Sequence, residues 1–359
     1  MRRHWKLVIS FHITFLSIIL SSCANFAYYG QSLSGQLEIL EKRRSIDKIL
    51  SDPTTPRDLK KRLEQVHEIT EFANRALYLP AHGSYRTYAD LSREYVVWNV
   101  VAAPAFSLAP LRWCFLIVGC LPYRGYFAKQ DAIRFAGKLR ARGYDVHFGG
   151  VSAYSTLGWF DDPVLNTMLR RDRTEWARVI FHELAHQKIY IKNDTGFNEA
   201  FADSIALVGV RRWLHANYPA EALHRFERAQ HREEQFLQLV FSYRRKLEAL
   251  YASDLPVIKK RSRKSAIFKF MLADYRKMRA RWGDHDEYDA WFENGLNNAR
   301  LATLLTYRDL VPGFLALLQA VDNNLQEFYD RVAELGHCSK VTRRHILEEG
   351  PVMQECKEQ

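Results

Sequence analysis

The sequence predicts an α+β chain with a small, mostly antiparallel sheet and a predominantly helical C-terminal half. Three observations predict it. Runs rich in β-branched and aromatic residues are confined to the stretch between about residues 95 and 160. From about Leu165 onward, apolar residues recur at helical spacing almost without interruption. Two further helical stretches precede the strands, divided by Asp52-Pro53-Thr54-Thr55-Pro56. Strands gathered in one part of a chain and helices in another argue α+β rather than alternating α/β. At 359 residues, with 47% hydrophobic and 26% charged, the chain can bury a large core, which excludes wholesale disorder.

The amino terminus reads as an export signal. Arg2, Arg3 and Lys6 precede a stretch, Leu7 to Leu20, that is apolar apart from His12, Thr14 and two serines. It falls short of the roughly 20 apolar residues of a membrane span and suits the apolar region of a signal peptide. Directly behind it, Leu20-Ser21-Ser22-Cys23 resembles the lipobox of bacterial lipoproteins. That resemblance implies cleavage of residues 1–22, acylation of Cys23 and a membrane anchor through it. Each buried methylene of an acyl chain contributes about 0.8 kcal/mol, so several chains hold a protein far longer than one. Ala24, where Asp would signal retention at the inner membrane, points to the periplasmic face of the outer membrane. The competing reading is an uncleaved anchor helix with an incidental cysteine.

Residues 23–80 are expected to form an N-terminal helical segment: one helix from Tyr28 to about Leu50, another from Arg57 to Leu77, and a turn at Pro80 and Gly83. Residues 81–359 are expected to form one catalytic domain. Tyr95–Val101, Leu111–Cys120 and Tyr144–Phe148 read as strands and Ala153–Phe160 as a further extended segment, with a helix over Lys129–Arg142 ending at Gly143. Helices are then expected near 172–190, 197–216, 219–252, 262–281, 286–305 and 322–335. Cys114, Cys120, Cys338 and Cys356 are even in number in an oxidising compartment, and their spacing leaves all three pairings open. The net charge of +11 includes the run Lys259, Lys260, Arg261, Arg263, Lys264. In an exported chain that run reads as a solvated face, with anionic lipid or envelope polymer as the second reading; nucleic acid is not an expected partner.

The chemistry is concentrated in Phe181-His182-Glu183-Leu184-Ala185-His186-Gln187. Residues four apart share one face of a helix, so His182 and His186 can reach one ion. Neutral imidazoles suit Zn²⁺, and Glu183, beside that face, can take a proton from water. A turn at Asn193-Asp194-Thr195-Gly196 leads to Asn198-Glu199-Ala200-Phe201-Ala202-Asp203 at the start of a second helix. A catalytic zinc site uses three protein ligands and one open position. Glu199 supplies the third ligand for one zinc per chain. Asp203, one turn further, can accept the free ring N–H of a ligating histidine, and Asn198 can tether the turn.

H-E-x-x-H followed by N-E-x-x-x-D resembles the gluzincin clan of metallopeptidases, the thermolysin-like group, with a shorter spacing between His186 and Glu199 than in thermolysin. The wider stretch resembles a bacterial family of predicted aminopeptidases, many of them lipoproteins. The matching text is Tyr123–Phe127, Ala153–Pro163, Phe181–Gln187, Phe197–Ala202 and, further on, Asn297–Leu301 with Tyr307. The resemblance implies a zincin-like domain that hydrolyses peptide bonds, with a peptide or protein as substrate. It implies a substrate-pairing strand at Thr156, Gly158 and Trp159, for which an ordinary core strand is the plain alternative. Tyr154 and Tyr307 become candidate donors to a developing oxyanion, although tyrosines are more often packing residues. Arg124 is either a ligand for a substrate carboxylate or part of a structural ion pair. An aminopeptidase also needs an acidic group for the substrate's amino terminus, for which Asp161, Asp162 and Glu175 are candidates by proximity. His67, His82, His147 and His231 have no metal-ligand spacing and read as structural. Two rivals share the motif: an envelope endopeptidase, and a lipid-anchored binding protein that keeps the zinc site without catalysis. The anchor is directly testable. Cys23→Ser is expected to abolish labelling by radioactive or alkyne-tagged fatty acid and to leave the amino terminus uncleaved, whereas undiminished labelling would refute the lipobox.

Overall fold

The computed structural model describes residues 28–81, 83–115, 119–153, 161–283, 285–293, 295–305 and 309–349. The fold is α+β, with three small sheets among predominantly helical elements. Its middle is the sheet β6-β3-β7, formed by β3 (Val97–Ala103) between β6 (Arg124–Tyr126) and β7 (Asp145–Val151), antiparallel throughout. Trp98 stands opposite both Tyr126 and Gly150, and Ala103 opposite Asp145. Successive side chains of a strand point to opposite faces. Accordingly Val100 and Ala102 pack with Ala132, Ala136 and Leu139 of helix α4 (Lys129–Ala141), while Val101 and Ala103 pack with Ala299 and Ala302 of helix α10 (Asn298–Leu305). Both faces are covered, which explains why β3 reads as an apolar run rather than an alternating one.

The amino-terminal part differs from expectation. The single helix expected from Tyr28 to about Leu50 is two: α1 (28–41) and α2 (Ile46–Ser51). Between them β1 (Arg44–Ser45) pairs with β2 (Thr87–Ala89), which in turn pairs in parallel with β8 (Val164–Leu165). This second sheet lies wholly outside residues 95–160, within which the strands were mostly expected; strands of two or three residues carry no periodic signal long enough to read. α3 (Arg57–Leu77) shares one core with the helical residues Trp176–Ala185 and Phe197–Leu214, so the amino-terminal segment is built into the main body. The expected strand over Leu111–Cys120 is a hairpin, β4 (Trp113–Phe115) and β5 (Gly119–Leu121), closed by a Cys114–Cys120 disulfide. Cys338 is also disulfide-bonded. Residues 154–160 lie outside the described residues.

The helical half begins with α5 (Arg173–Lys188) and α6 (Thr195–Asn217), which are followed by α7 (Ala220–Ala252) and α8 (Val257–Arg279). Phe236, Val240, Tyr243 and Leu247 of α7 pack on Phe268, Met271 and Tyr275 of α8 in a separate core cluster. The helix expected over 286–305 is broken into α9 (Asp289–Glu293) and α10, with Gly295 between them at φ +78°. α11 (Val311–Ala320) and α13 (Lys340–Glu349) were not anticipated; α12 (Leu325–His337) was. Pro312 and Gly313 obscured α11, yet Pro stands in its first turn, where the missing N–H is harmless. At Gly313 a Cβ would collide with the Leu347 carbonyl of α13.

One polar clamp joins the helical hairpin to the central sheet. Asn298 is fully buried; its Nδ2 donates to the carbonyls of Pro104 (2.9 Å) and Ala105 (3.1 Å), and its Oδ1 accepts from the Tyr251 hydroxyl (2.6 Å). Its backbone N–H and Lys264 Nζ both reach Asp145 Oδ2, at 2.9 and 2.5 Å. Removing one partner of such a network strands the others in a dry place, at about 1–3 kcal/mol for each unsatisfied group. Asn298→Ala is therefore expected to destabilise the protein by about 3 kcal/mol and Tyr251→Phe by about 1 kcal/mol. Denaturant titrations would show this, and equal midpoints for Asn298→Ala and wild type would contradict the clamp.

Candidate metal centre

α5 starts at Asp172, whose side chain accepts from the backbone N–H groups of Thr174 (2.8 Å) and Glu175 (3.0 Å). This is the usual way a helix start satisfies its free donors. Ile180, Phe181, Leu184 and Ala185 are buried, which fixes the rotation of α5. α6 packs on it closely because Gly209 sits against Phe181: a Cβ there would lie 2.7 Å from both a Phe181 ring carbon and Leu77 Cδ1 of α3.

The turn between the two helices is held from three sides. Asn198 donates from Nδ2 to the Ile191 carbonyl and accepts at Oδ1 from the Ile191 N–H, both at 2.7 Å. Asn193 adopts φ +64°, a left-handed conformation that Asn tolerates better than most residues. Asp194, buried, receives Arg343 of α13 at 2.8 and 3.2 Å and Lys340 at 3.1 Å. Arg343 also donates to the carbonyls of Cys338 (2.7 Å) and Gly336 (3.2 Å).

This frame brings His182, His186 and Glu199 together, and they are the one group of this kind among the described residues. His182 Nε2 and His186 Nε2 stand 3.1 Å apart. Glu199 Oε2 lies 3.3 Å from His182 Nε2, and Oε1 lies 3.8 Å from His186 Nε2. Asp203 Oδ1 is 3.1 Å from His182 Nδ1, on the far side of that ring. A proton on Nδ1 donated to Asp203 leaves the His182 lone pair on Nε2, aimed at the other two groups. With both rings neutral, two nitrogen lone pairs and a carboxylate facing one point repel one another unless a cation takes the place between them, and the donor set fits a metal ion in that place. His186 is the most buried of the three at 5% exposure and Glu199 the most open at 30%, so the carboxylate faces the accessible side.

The electrostatics divide the two imidazoles. Burial opposes charge on His182, but its hydrogen bonds to Asp203 and Glu199, with the nearby charge of Glu183, outweigh it and push its pKa up to about 10. Burial and the neighbouring His182 hold His186 down at about 4, against the opposite pull of Glu199 and Asp203. His186 Nδ1 is buried with no hydrogen-bond partner among the described residues. Arg178, paired with Glu233 at 3.5 Å, is close enough to Asp203 for its charge to be favoured by that carboxylate.

Glu183 is half-buried beside the ligand face. Two tyrosines report its position. Burial raises the pKa of the Tyr85 hydroxyl, and the charges of Glu183 and Asp162 raise it further. Burial also raises that of Tyr123, helped first by Glu199 and then by Glu183. Tyr190 is likewise raised by burial and Glu199, and its ring meets that of His186 edge to face at 6.4 Å. Tyr190 therefore lies beside the centre, and Tyr123 and Tyr85 are near enough to feel its carboxylates. Sequence reasoning assigned a role to none of the three. Tyr123 stands in the Tyr123–Phe127 stretch already singled out, but nothing in its spacing connects it to α5.

The remaining candidates fall out as follows. Tyr154, Thr156, Gly158, Trp159 and Tyr307 lie outside the described residues, as do His82 and Cys23. Arg124 makes no ion pair among the described residues: its guanidinium stacks on Tyr28 at 4.0 Å and Phe135 at 4.9 Å. Glu175 pairs with Arg171 at the start of α5, eight residues or about 12 Å from Glu183 along the helix, so it is not at the centre. Asp162 is nearer: its N–H reaches Ser84 Oγ at 3.4 Å, and the same oxygen accepts from Gln187 Nε2 at 3.1 Å, one turn beyond Glu183. Its carbonyl accepts from Tyr85 N–H at 2.7 Å. Asp161 is exposed, its carboxylate packed over Gly83 where a Cβ would not fit. His147 is structural, contacting Arg300 at 3.3 Å, and burial and that cation hold its pKa down at about 4.

A family model described as "Putative aminopeptidase" matches residues 27–347. The chain belongs to that family. The match spans α1 to α13 and includes every residue of the centre described above. No curated protein and no solved structure matches the chain.

The Asp203 contact yields a test. Asp203→Ala removes the acceptor that orients His182 and is expected to weaken divalent-metal affinity about 10–100-fold, the usual effect of losing such a partner. Competition with a chelator would measure it, and wild-type affinity in the variant would show that His182 is held by packing alone.

Proposed function

We propose that the chain is a zinc-dependent peptidase with a zincin-like catalytic centre. We read it as an aminopeptidase of the bacterial cell envelope, anchored through Cys23. The observation that carries the proposal is the convergence of His182, His186 and Glu199. Donors around a tetrahedral zinc at about 2.0–2.1 Å stand about 3.3 Å apart, close to the 3.1, 3.3 and 3.8 Å between these three side chains. Two imidazoles and one carboxylate also match the ligand type of catalytic zinc, leaving a position open. Zinc held there would supply Lewis acidity, polarising a carbonyl and acidifying water.

The chain's own residues supply the rest. Glu183, next to His182 but off the ligand face, takes the proton of the attacking water and passes it to the leaving amine. The substrate carbonyl oxygen gains negative charge as the tetrahedral intermediate forms, and a positioned hydroxyl lowers that barrier. The Tyr123 hydroxyl, which feels the charge of both Glu199 and Glu183, is our candidate for it. Its high pKa keeps it protonated, as a donor must be. Asp203 and Asn198 hold the geometry. The family supports the exopeptidase reading.

The roles of the two glutamates separate cleanly. Glu183→Gln keeps the three ligands and is expected to retain about one zinc per chain while losing about 10²–10⁴-fold in peptide hydrolysis. Glu199→Ala is expected to lose the metal itself. Elemental analysis beside cleavage of a peptide library, read by mass spectrometry, tests both. Undiminished cleavage by Glu183→Gln would overturn the mechanism; wild type that holds zinc but cleaves nothing would favour a binding protein.

A further inference from the structure

Helix α8 has two chemically different faces. Its inner face is spent on Phe268, Met271 and Tyr275 in the α7–α8 core and on Lys264, which is bound to Asp145. Its outer face exposes Lys259, Arg263, Lys269, Arg276 and Lys277. Among these cations stand Ile258, 74% exposed, and Phe270, 64% exposed. At about 100° per residue, positions 259, 263, 270 and 277 fall within about 40° of one another, and 258, 269 and 276 form the adjoining row. The helix carries a single acidic residue, Asp274, already engaged by Tyr243 at 2.6 Å and Lys277 at 3.0 Å. Lys259, Arg263, Lys269 and Arg276 have no carboxylate partner among the described residues.

Each component alone has an ordinary explanation, but the combination narrows the partner. A soluble polyanion would neutralise the cations and leave two large apolar side chains in water. An apolar protein surface would cover Ile258 and Phe270 and bury the cations without counter-charge. An anionic bilayer meets both needs, because headgroups neutralise Lys and Arg while apolar side chains enter the acyl boundary. The row runs for about 27 Å, long enough to span several headgroups. We propose that the outer face of α8 seats on an anionic lipid bilayer surface. This does not depend on the metal centre or on peptidase activity. A chain lying flat in this way would meet substrates at the membrane rather than in bulk solution.

The test uses the full chain mixed with vesicles of phosphatidylcholine, with or without phosphatidylglycerol. A water-soluble amine-acylating reagent is applied and each lysine is read by mass spectrometry. Lys259, Lys269 and Lys277 are expected to label at least about threefold more slowly with the anionic vesicles, and molar salt should erase the difference, since it cuts the Debye length to about 3 Å. Lys61 on α3, exposed but in a different core region, is the reference and should not change. Phe270→Ser, an exposed substitution that leaves the core intact, should reduce the protection without changing the reference. Equal labelling of the α8 lysines in both vesicles would overturn the proposal. So would protection by soluble polyphosphate but not by anionic vesicles, which would identify a polymer partner, or slowing that extends equally to Lys61.

Discussion

Everything near the centre follows from one electrostatic constraint. Two imidazole nitrogens and a carboxylate are aimed at a common point, and with both rings neutral these groups repel one another unless a cation lies between them. Local helix geometry brings His182 and His186 onto one face at no expense, but nothing local brings Glu199 to them. That requires α6 to reverse onto α5 with a fixed rotation and a close approach. The chain secures the reversal with polar contacts at the turn and with Gly209 opposite Phe181. Such a frame resists the collapse that would relieve the repulsion and so preorganises the site.

The clamps are placed where leverage is greatest. Asp194 lies in the turn just before α6, and its partner Arg343 comes from α13, 149 residues later. A buried ion pair is weak evidence of stability in its own right, because desolvation offsets much of the attraction. Here it also fixes a register, since a shift of the turn would move Glu199 relative to both histidines. The carboxy-terminal helix is thus tied to the centre, although no residue of α13 is among the ligands. Asn298 acts in the same way one layer out, holding the α7–α10 helices against the sheet whose opposite edge leads into Tyr123.

Much of this was legible in the sequence because its signals are local. The 3.6-residue period gave α3 and α5 to α7 nearly to the residue, and β3 showed as an apolar run because both its faces are covered. H-E-x-x-H and the N-E-x-x-x-D that follows drew attention to the three groups that the fold brings together. What was not legible depends on distant pairing. The Arg44–Ser45 strand exists only because Thr87–Tyr88 lies beside it, and so a helix was expected to run through it. α11 was hidden by Pro312 and Gly313, whose meaning becomes clear only with α13 in place. Tyr85, Tyr123 and Tyr190 approach the centre from separate parts of the chain, and no spacing rule joins them to His182. Arg124 shows the converse error: a cation near a motif suggested an ion pair, whereas the rings of Tyr28, Tyr126 and Phe135 form its surroundings.

The central claim is that His182, His186 and Glu199 hold a zinc ion at a site open to water. X-ray absorption at the zinc edge of the purified protein tests it most directly. The account predicts two imidazole nitrogens at about 2.0–2.1 Å with one or two oxygens completing a four-coordinate shell. A sulfur shell near about 2.3 Å, or scattering without imidazole, would contradict it.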